Sequence, residues 1–275
     1  MTEHDELLLR IATAIEGLMP QPAAAADFRT APAYVWDGRA ARPVARIEAP
    51  PLALLRGIDP QKEIVVANIA RLAAGHAAHD MLLWGARGMG KSALLRAAVA
   101  ERQQHAPMAL ALVQVAPEAL PTLTRLFAEL GAIERRFLVF IDDLGFEEGD
   151  SSGPRALRSW LEGGVEARPG NVRLAVTANR RAIVARHASE QDDPINPRDA
   201  VDDKLALADR FGLSIGFHNC SQDDFLAIIA GYAQAHALAW DRDDALEWSR
   251  RRGARSGRVA WHYVVELAGR AAKAL

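Results

Sequence analysis

The sequence is poor in cysteine and lysine and has no long apolar run. Cys220 is the only cysteine in 275 residues. One thiol excludes an internal disulfide framework and a multi-cysteine zinc site, and it fits a reducing compartment such as the cytoplasm. No apolar stretch approaches the roughly 20 residues that span a bilayer, so no membrane contact is expected. Glu3, Asp5 and Glu6 give the N-terminus the wrong charge for a secretory leader. The eight histidines are scattered, with no H-E-x-x-H pattern and no Cys/His cluster, which argues against a metal centre built from them. The net charge of −2 shows no overall basic excess, so nucleic acid is not indicated by charge, although a local patch is compatible with it. Of 33 basic residues only Lys62, Lys91, Lys204 and Lys273 are lysines. A retained lysine therefore invites a chemical reason.

Half the residues are hydrophobic and a quarter are charged, an ordinary globular mixture with enough chain for a large core and a smaller unit. Residues 5–18 place Leu7, Leu8, Ile11, Ile15 and Leu18 on one helical face, and Pro20 and Pro22 end it. An Ala/Pro-rich stretch containing Tyr34 and Trp36 follows to residue 51 and reads as an extended arm or a loose linker. From Leu52 onward, five short apolar strand-like runs (81–84, 109–115, 137–141, 172–177 and 213–217) alternate with helical segments (64–74, 93–102, 118–130, 154–161 and 181–187). That alternation predicts a five-stranded parallel sheet covered on both faces, over residues 52–218. Residues 219–275 read as a small helical unit. Ser221 and Asp224 form a capping box for its first helix, and two more helices are expected near 242–252 and 257–273.

Gly85-Ala86-Arg87-Gly88-Met89-Gly90-Lys91-Ser92 matches G-x-x-x-x-G-K-[ST], with a strand before it and a helix, opening at Ser92 and Ala93, after it. Glycines let successive backbone N–H groups face one anion, and the helix N-terminus adds its positive dipole end. Lys91 is placed to reach β and γ phosphates, and Ser92 to offer a hydroxyl to Mg²⁺. The expected ligands are therefore ATP and Mg²⁺. Further on, the apolar run 136–141 ends in Asp142 and Asp143, and in a parallel sheet ligands sit beyond the carboxyl ends of the strands. Asp142 is expected to hold the metal, and Asp143 to orient or deprotonate the attacking water. Most ATPases of this type carry glutamate at the second position. Aspartate is one methylene shorter, which points to slow turnover, and Glu147 and Glu148 lie near enough to substitute.

With both motifs in place, the chain from about Leu52 resembles the AAA+ superfamily. The combination of Gly57-Ile58-Asp59, Leu83–Gly88, Ile141–Leu144 and Asp209–Leu213 is similar to a bacterial AAA+ family with no established substrate. The resemblance implies roles for several residues. Asn179 takes the sensor 1 position, near the γ-phosphate or the water. Arg210 takes the arginine-finger position, acting in trans in a homo-oligomer, against the plain alternative of a local ion pair with Asp209. Arg258, with Arg255 as runner-up, takes the lid sensor position, although 250–258 also reads as a solvated basic face or a nucleic-acid patch. Ile58 is the apolar contact for the base.

Three functions stay open on the sequence: an oligomeric Mg²⁺-dependent ATPase that remodels or loads an unidentified macromolecular client, a nucleotide-controlled binding switch with little turnover, and a DNA-associated loader. Cys220 reads as a small residue at a junction. Trp160, Trp240, Trp248 and Trp261 read as packing residues, and the polar loop 188–198 as a surface loop or a partner contact.

Overall fold

The computed structural model describes residues 27–145, 161, 169–179 and 209–275. The N-terminal helix at 5–18, the segments 154–160 and 181–187, Glu147, Glu148, Trp160 and the loop 188–198 lie outside the described residues. In chain order the strands are β1 (Ala33–Trp36), β2 (Ala41–Val44), β3 (Met81–Gly85), β4 (Leu110–Val115), β5 (Arg136–Ile141), β6 (Val172–Ala178) and β7 (Leu213–Phe217). The described helices are α1 (Asp59–Ala73), α2 (Lys91–His105), α3 (Leu123–Gly131), α4 (Gln222–Ala235), α5 (Arg242–Arg251) and α6 (Gly257–Arg270).

The seven strands form one sheet in the order β2-β1-β4-β5-β6-β3-β7. All pairings are parallel except β1 with β2. The α/β class holds, but the sheet has seven strands rather than the five expected. The additional two come from the Ala/Pro-rich arm, whose Ala33–Trp36 segment pairs with Leu112–Val115 of β4. Pro43 disguises β2 in the sequence, yet proline is tolerated on an edge strand, where its missing N–H need not face a partner.

Both faces of the sheet are covered, which explains the continuous apolar runs. In β5, Leu138 and Phe140 face one core while Phe137, Val139 and Ile141 face the other, and all five are at most 1% exposed. The alternation is the pleat of the strand, with successive side chains on opposite faces. The first core holds α1 and α2 and continues without a break into Phe225, Ile229, Tyr263 and Val264 of the C-terminal helices. The second holds α3 together with Tyr34 and Trp36 of the arm.

The arm is fixed by specific bonds. Trp36 Nε1 donates to Thr122 Oγ1 at 2.8 Å, and the Arg125 guanidinium lies 4.8 Å over the indole. Tyr34 Oη accepts from the N–H groups of Thr30 and Ala31 and donates to the Asp27 carbonyl oxygen. Arg135, 6% exposed, donates to the carbonyl oxygens of Phe28 and Ala31 at 2.9 and 2.8 Å, and also to those of Met108, Pro107 and Leu110. Among the described residues, no helix is long and apolar enough to cross a membrane.

Candidate functional site

At the end of β3 the chain turns beneath the last residue of β7. Gly85 has φ +121°, and a Cβ there would stand 2.1 Å from the Phe217 carbonyl oxygen, so only glycine passes. Gly88 and Gly90, at φ +74° and +89°, supply two further left-handed turns. Gly90 caps α2, and its carbonyl accepts the Leu94 N–H at 2.7 Å. The loop therefore opens onto the first turn of α2. There the N–H groups that lack an intrahelical acceptor and the helix dipole favour an anion.

Lys91 is the first residue of α2 and is 7% exposed. Its Nζ donates to the carbonyl oxygens of Gly85 and Ala86 at 2.7 and 2.9 Å. Burial lowers its pKa from the ordinary lysine value, the carboxylates of Asp143 and Asp142 oppose that shift, and Arg87 and Arg258 add to it. The ammonium is thus held inside the loop by two backbone oxygens, with the Asp142 and Asp143 carboxylates near enough to act on it.

Across from the loop, Asp142 Oδ1 accepts two hydroxyls, from Ser92 at 2.5 Å and from Thr177 at 2.7 Å. Thr177 Oγ1 also accepts the Asp143 N–H at 2.8 Å, and the Thr177 carbonyl accepts the Leu144 N–H at 2.7 Å. One threonine on β6 therefore sets the turn that follows β5. Asp143 has φ +51°, a conformation aspartate adopts more readily than most residues. Its Oδ1 accepts a hydrogen bond from the Asn179 side-chain amide. Ser92 and Asp142 bring a hydroxyl and a carboxylate oxygen to one point. That donor set suits Mg²⁺, which is held by one or two carboxylates and completed by water and phosphate oxygens.

These groups open on a single cavity of about 870 Å³. Gly88 to Ala93, Asp142, Asp143 and Asn179 line it. Leu55, Ile58, Ile228, Tyr232 and Trp261 add an apolar lining, with Leu55 and Ile58 beside Gly90 of the loop. Arg56, Arg87, Arg96 and Arg258 also line it, which makes the rim favourable to a polyanion. Arg258 arrives because Ser256 caps α6, its Oγ accepting the Val259 N–H at 3.2 Å, which leaves Arg258 in the first turn. Its backbone N–H donates to the Gly88 carbonyl at 3.1 Å. Arg255 instead donates to Gln222 Oε1 at 3.4 Å and is not in the cavity lining.

Arg210 is the one expected site residue that lies apart from the rest. It precedes β7, whose other end meets the phosphate loop at Phe217 and Gly85. The five residues of β7 span about 16 Å, so Arg210 stands at the far end of the sheet from this cavity.

Several cavity residues were not identified from the sequence as site residues. Thr177 has the period-two spacing from Asn179 that would place it at the same strand end. Tyr232, His236 and Trp261 carry no such signal, because α4 and α6 are brought together only by the fold.

Residues 29–271 match a family described as "Protein of unknown function (DUF815)". The chain belongs to this family. No curated protein matches the sequence. Solved structures similar to this DUF815 chain include the RuvB Holliday junction branch migration motor of Thermotoga maritima, at 18% identity and TM-score 0.53 over 81% of this chain and 66% of that one. The ORC1 protein of Aeropyrum pernix, solved in complex with DNA, matches at 16% identity and TM-score 0.55 over 78% of this chain and 61% of that one. The ORC2 protein of the same organism, solved in ADPNP–ADP complexes, matches at 14% identity and TM-score 0.51 over 82% and 66%. The DUF815 chain thus spans 61 to 66% of the length of these three proteins. At these identities the likeness carries the fold alone, the AAA+ fold shared with RuvB and ORC.

Proposed function

We propose that the protein is a cytoplasmic, Mg²⁺-dependent ATPase that works as a homo-oligomer to remodel or load a macromolecular client. The observation that carries this reading is the convergence of Ser92 and Thr177 on one oxygen of Asp142, directly across from a phosphate loop closed around Lys91. In this reading, residues 52–218 bind the nucleotide, residues 219–275 act as its lid and residues 1–51 form an arm.

The loop N–H groups and Lys91 bind the triphosphate. Ser92 and Asp142 would hold Mg²⁺, which would supply charge neutralisation at the phosphates. Asp143 receives the proton of the attacking water, and Asn179 keeps the Asp143 carboxylate in place. Arg258 brings a cation from the lid. Arg210 lies too far away to serve its own cavity, so it supplies transition-state charge to the site of a neighbouring copy.

A second reading is favoured by one observation. Asp143 stands in place of the usual glutamate, in a left-handed conformation and already bonded to Asn179. A base that is short and engaged fits a binding switch with little turnover. The DNA-bound form of the Aeropyrum relative makes a DNA-associated loader one specific version of the client.

One experiment separates these readings. Steady-state phosphate release is measured against protein concentration for the wild type and Arg210→Ala. Specific activity that rises with concentration and is lost in the variant, with Mg–ATP still bound, supports the oligomeric ATPase. Tight binding without release supports the switch. Absence of Mg–ATP binding by the wild type removes both. A gel shift at low salt that vanishes as salt rises would identify DNA as the client.

A further inference from the structure

The direction in which Arg210 leaves the molecule is set by the turn that follows it, Phe211-Gly212. That turn is pinned on either side. Phe211 is 4% exposed and belongs to the second core. Leu213, the first residue of β7, donates its N–H to the Asp80 carbonyl oxygen at 3.1 Å. Gly212, between them, is met by His79. A Cβ on Gly212 would stand 2.9 Å from His79 Cγ and closer still to Nδ1, so the imidazole occupies the place of the missing side chain. Gly212 lies outside the left-handed region, so its backbone does not call for glycine. The imidazole does.

His79 is itself anchored. It stands in the connection from α1 to β3, just before Met81. Its N–H donates to Asn68 Oδ1 at 3.0 Å, and its carbonyl oxygen accepts from Asn68 Nδ2 at 2.9 Å. Asn68 is 1% exposed on α1, so this two-way clamp is rigid. The residues on either side are tied to β6. Arg173 Nε donates to the Ala78 carbonyl oxygen at 2.6 Å, and Asp80 Oδ1 accepts the Leu174 N–H at 2.8 Å. His79, by contrast, is exposed, so its side chain adds little to the core. The six steps of chain from His79 to Gly85 span about 20 Å, which keeps His79 away from the nucleotide of its own cavity.

We propose that His79 is a positioning residue for Arg210. Its ring, pressed on Gly212, fixes the direction in which the turn presents the guanidinium to a neighbouring copy. This rests on the trans role given to Arg210 above and adds the residue that aims it. A misplacement of about 1 Å, caused far from the chemistry, can cost about 100-fold in rate. Loss of the ring therefore lowers turnover and leaves nucleotide binding alone.

The test measures steady-state phosphate release and Mg–ATP affinity for the wild type, His79→Ala, His79→Phe and Arg210→Ala. Turnover in His79→Ala is expected to fall about 10- to 100-fold with the ATP dissociation constant unchanged. His79→Phe, which refills the space with a ring, is expected to keep most of the wild-type rate. Mixing supplies the second readout. Lys91→Ala copies have a disabled site but an intact Arg210 turn. Adding them to His79→Ala copies should raise turnover per functional site severalfold, and Arg210→Ala copies should be rescued in the same way. Wild-type turnover in His79→Ala, with turnover lost in Arg210→Ala, overturns the inference and leaves the trans reading standing. Weakened ATP binding in His79→Ala, or failure to rescue it where Arg210→Ala is rescued, also overturns it, because the defect then lies in the variant's own site. Arg210→Ala with wild-type turnover, rescue of neither variant, or a wild type that binds Mg–ATP without releasing phosphate overturns both readings. Gly212→Ala is an independent variant. Its methyl group displaces the imidazole, and the same loss of turnover, rescued by mixing, is expected.

Discussion

The backbone N–H of Arg258 donates to the carbonyl oxygen of Gly88 at 3.1 Å, so α6 and the glycine-rich loop are joined main chain to main chain. The junction is crowded on both sides. A Cβ on Gly88 would meet Ser256 Oγ at 2.9 Å and Arg258 Cβ at 3.0 Å, and one on Gly257 would meet the Gly88 oxygen at 3.1 Å. Two glycines are what allow this close approach of α6 to the loop.

Gly88→Ala therefore acts on the start of α6. The left-handed φ costs about 1 kcal/mol and the new methyl group displaces Ser256 and Arg258. ATP affinity is expected to fall about tenfold, equivalent to about 1.4 kcal/mol, as measured by titration calorimetry. Wild-type affinity would show that the junction is irrelevant to binding.

Thr177→Val keeps the shape of the side chain and removes the hydroxyl. The Asp143 N–H loses its acceptor and Asp142 loses a donor. An unsatisfied buried group costs about 1–3 kcal/mol, so the maximal rate should drop by about 10- to 100-fold. The ATP dissociation constant should move little, since the loop and Lys91 are untouched. Turnover and binding measured side by side check this, and unchanged turnover would argue against the turn as part of the chemistry.

Arg135→Met tests what holds the arm to the sheet. The guanidinium serves five carbonyl oxygens, two of them from the arm at Phe28 and Ala31. Hydrogen bonds to a charged group contribute about 1.5–3 kcal/mol each, and the carbonyls left behind lose their partner. A loss of at least about 3 kcal/mol in unfolding free energy is expected, read as a lower urea midpoint. Arg135→Lys should recover only part of it, because an ammonium has three donors and no planar fork.

Cys220 gives a pH prediction. Burial, with a smaller contribution from Asp224, pushes its thiol up to about 11, against about 9 for the unperturbed group. The folded state therefore holds the proton through a window in which the unfolded state releases it. Stability falls as pH rises from about 9 to about 11, by up to about 3 kcal/mol. Denaturant midpoints across that range should show the slope in the wild type and a weaker one in Cys220→Ala. At neutral pH, alkylation of the folded protein should be much slower than alkylation in denaturant.

The phosphate loop was legible in the sequence because its chemistry is local. The positions of Gly85, Gly88, Gly90, Lys91 and Ser92 relative to one another are fixed by the turn they must make. Ser256 as a cap likewise placed Arg258 in the first turn of its helix and turned Arg255 away. The N-terminal strands were not legible. β1 and β2 are four residues each, and the pairing of Trp36 with Val115 rests on contacts with Thr122, Arg125 and Arg135, all distant in sequence. The place of Tyr232, His236 and Trp261 on the cavity was hidden for the same reason. Trp261 in isolation reads as a packing residue, and its place on the cavity appears only when α4 lies beside α6.

The arm also covers one edge of the sheet. Without β1, the apolar strand Leu110–Val115 would be the open edge of the sheet, a template for a second chain. With the arm in place the outermost strand is β2, short and carrying exposed Arg42 and Pro43, both unfavourable to further pairing. Residues 33–44 thus take the place of an edge that would otherwise invite indiscriminate strand addition.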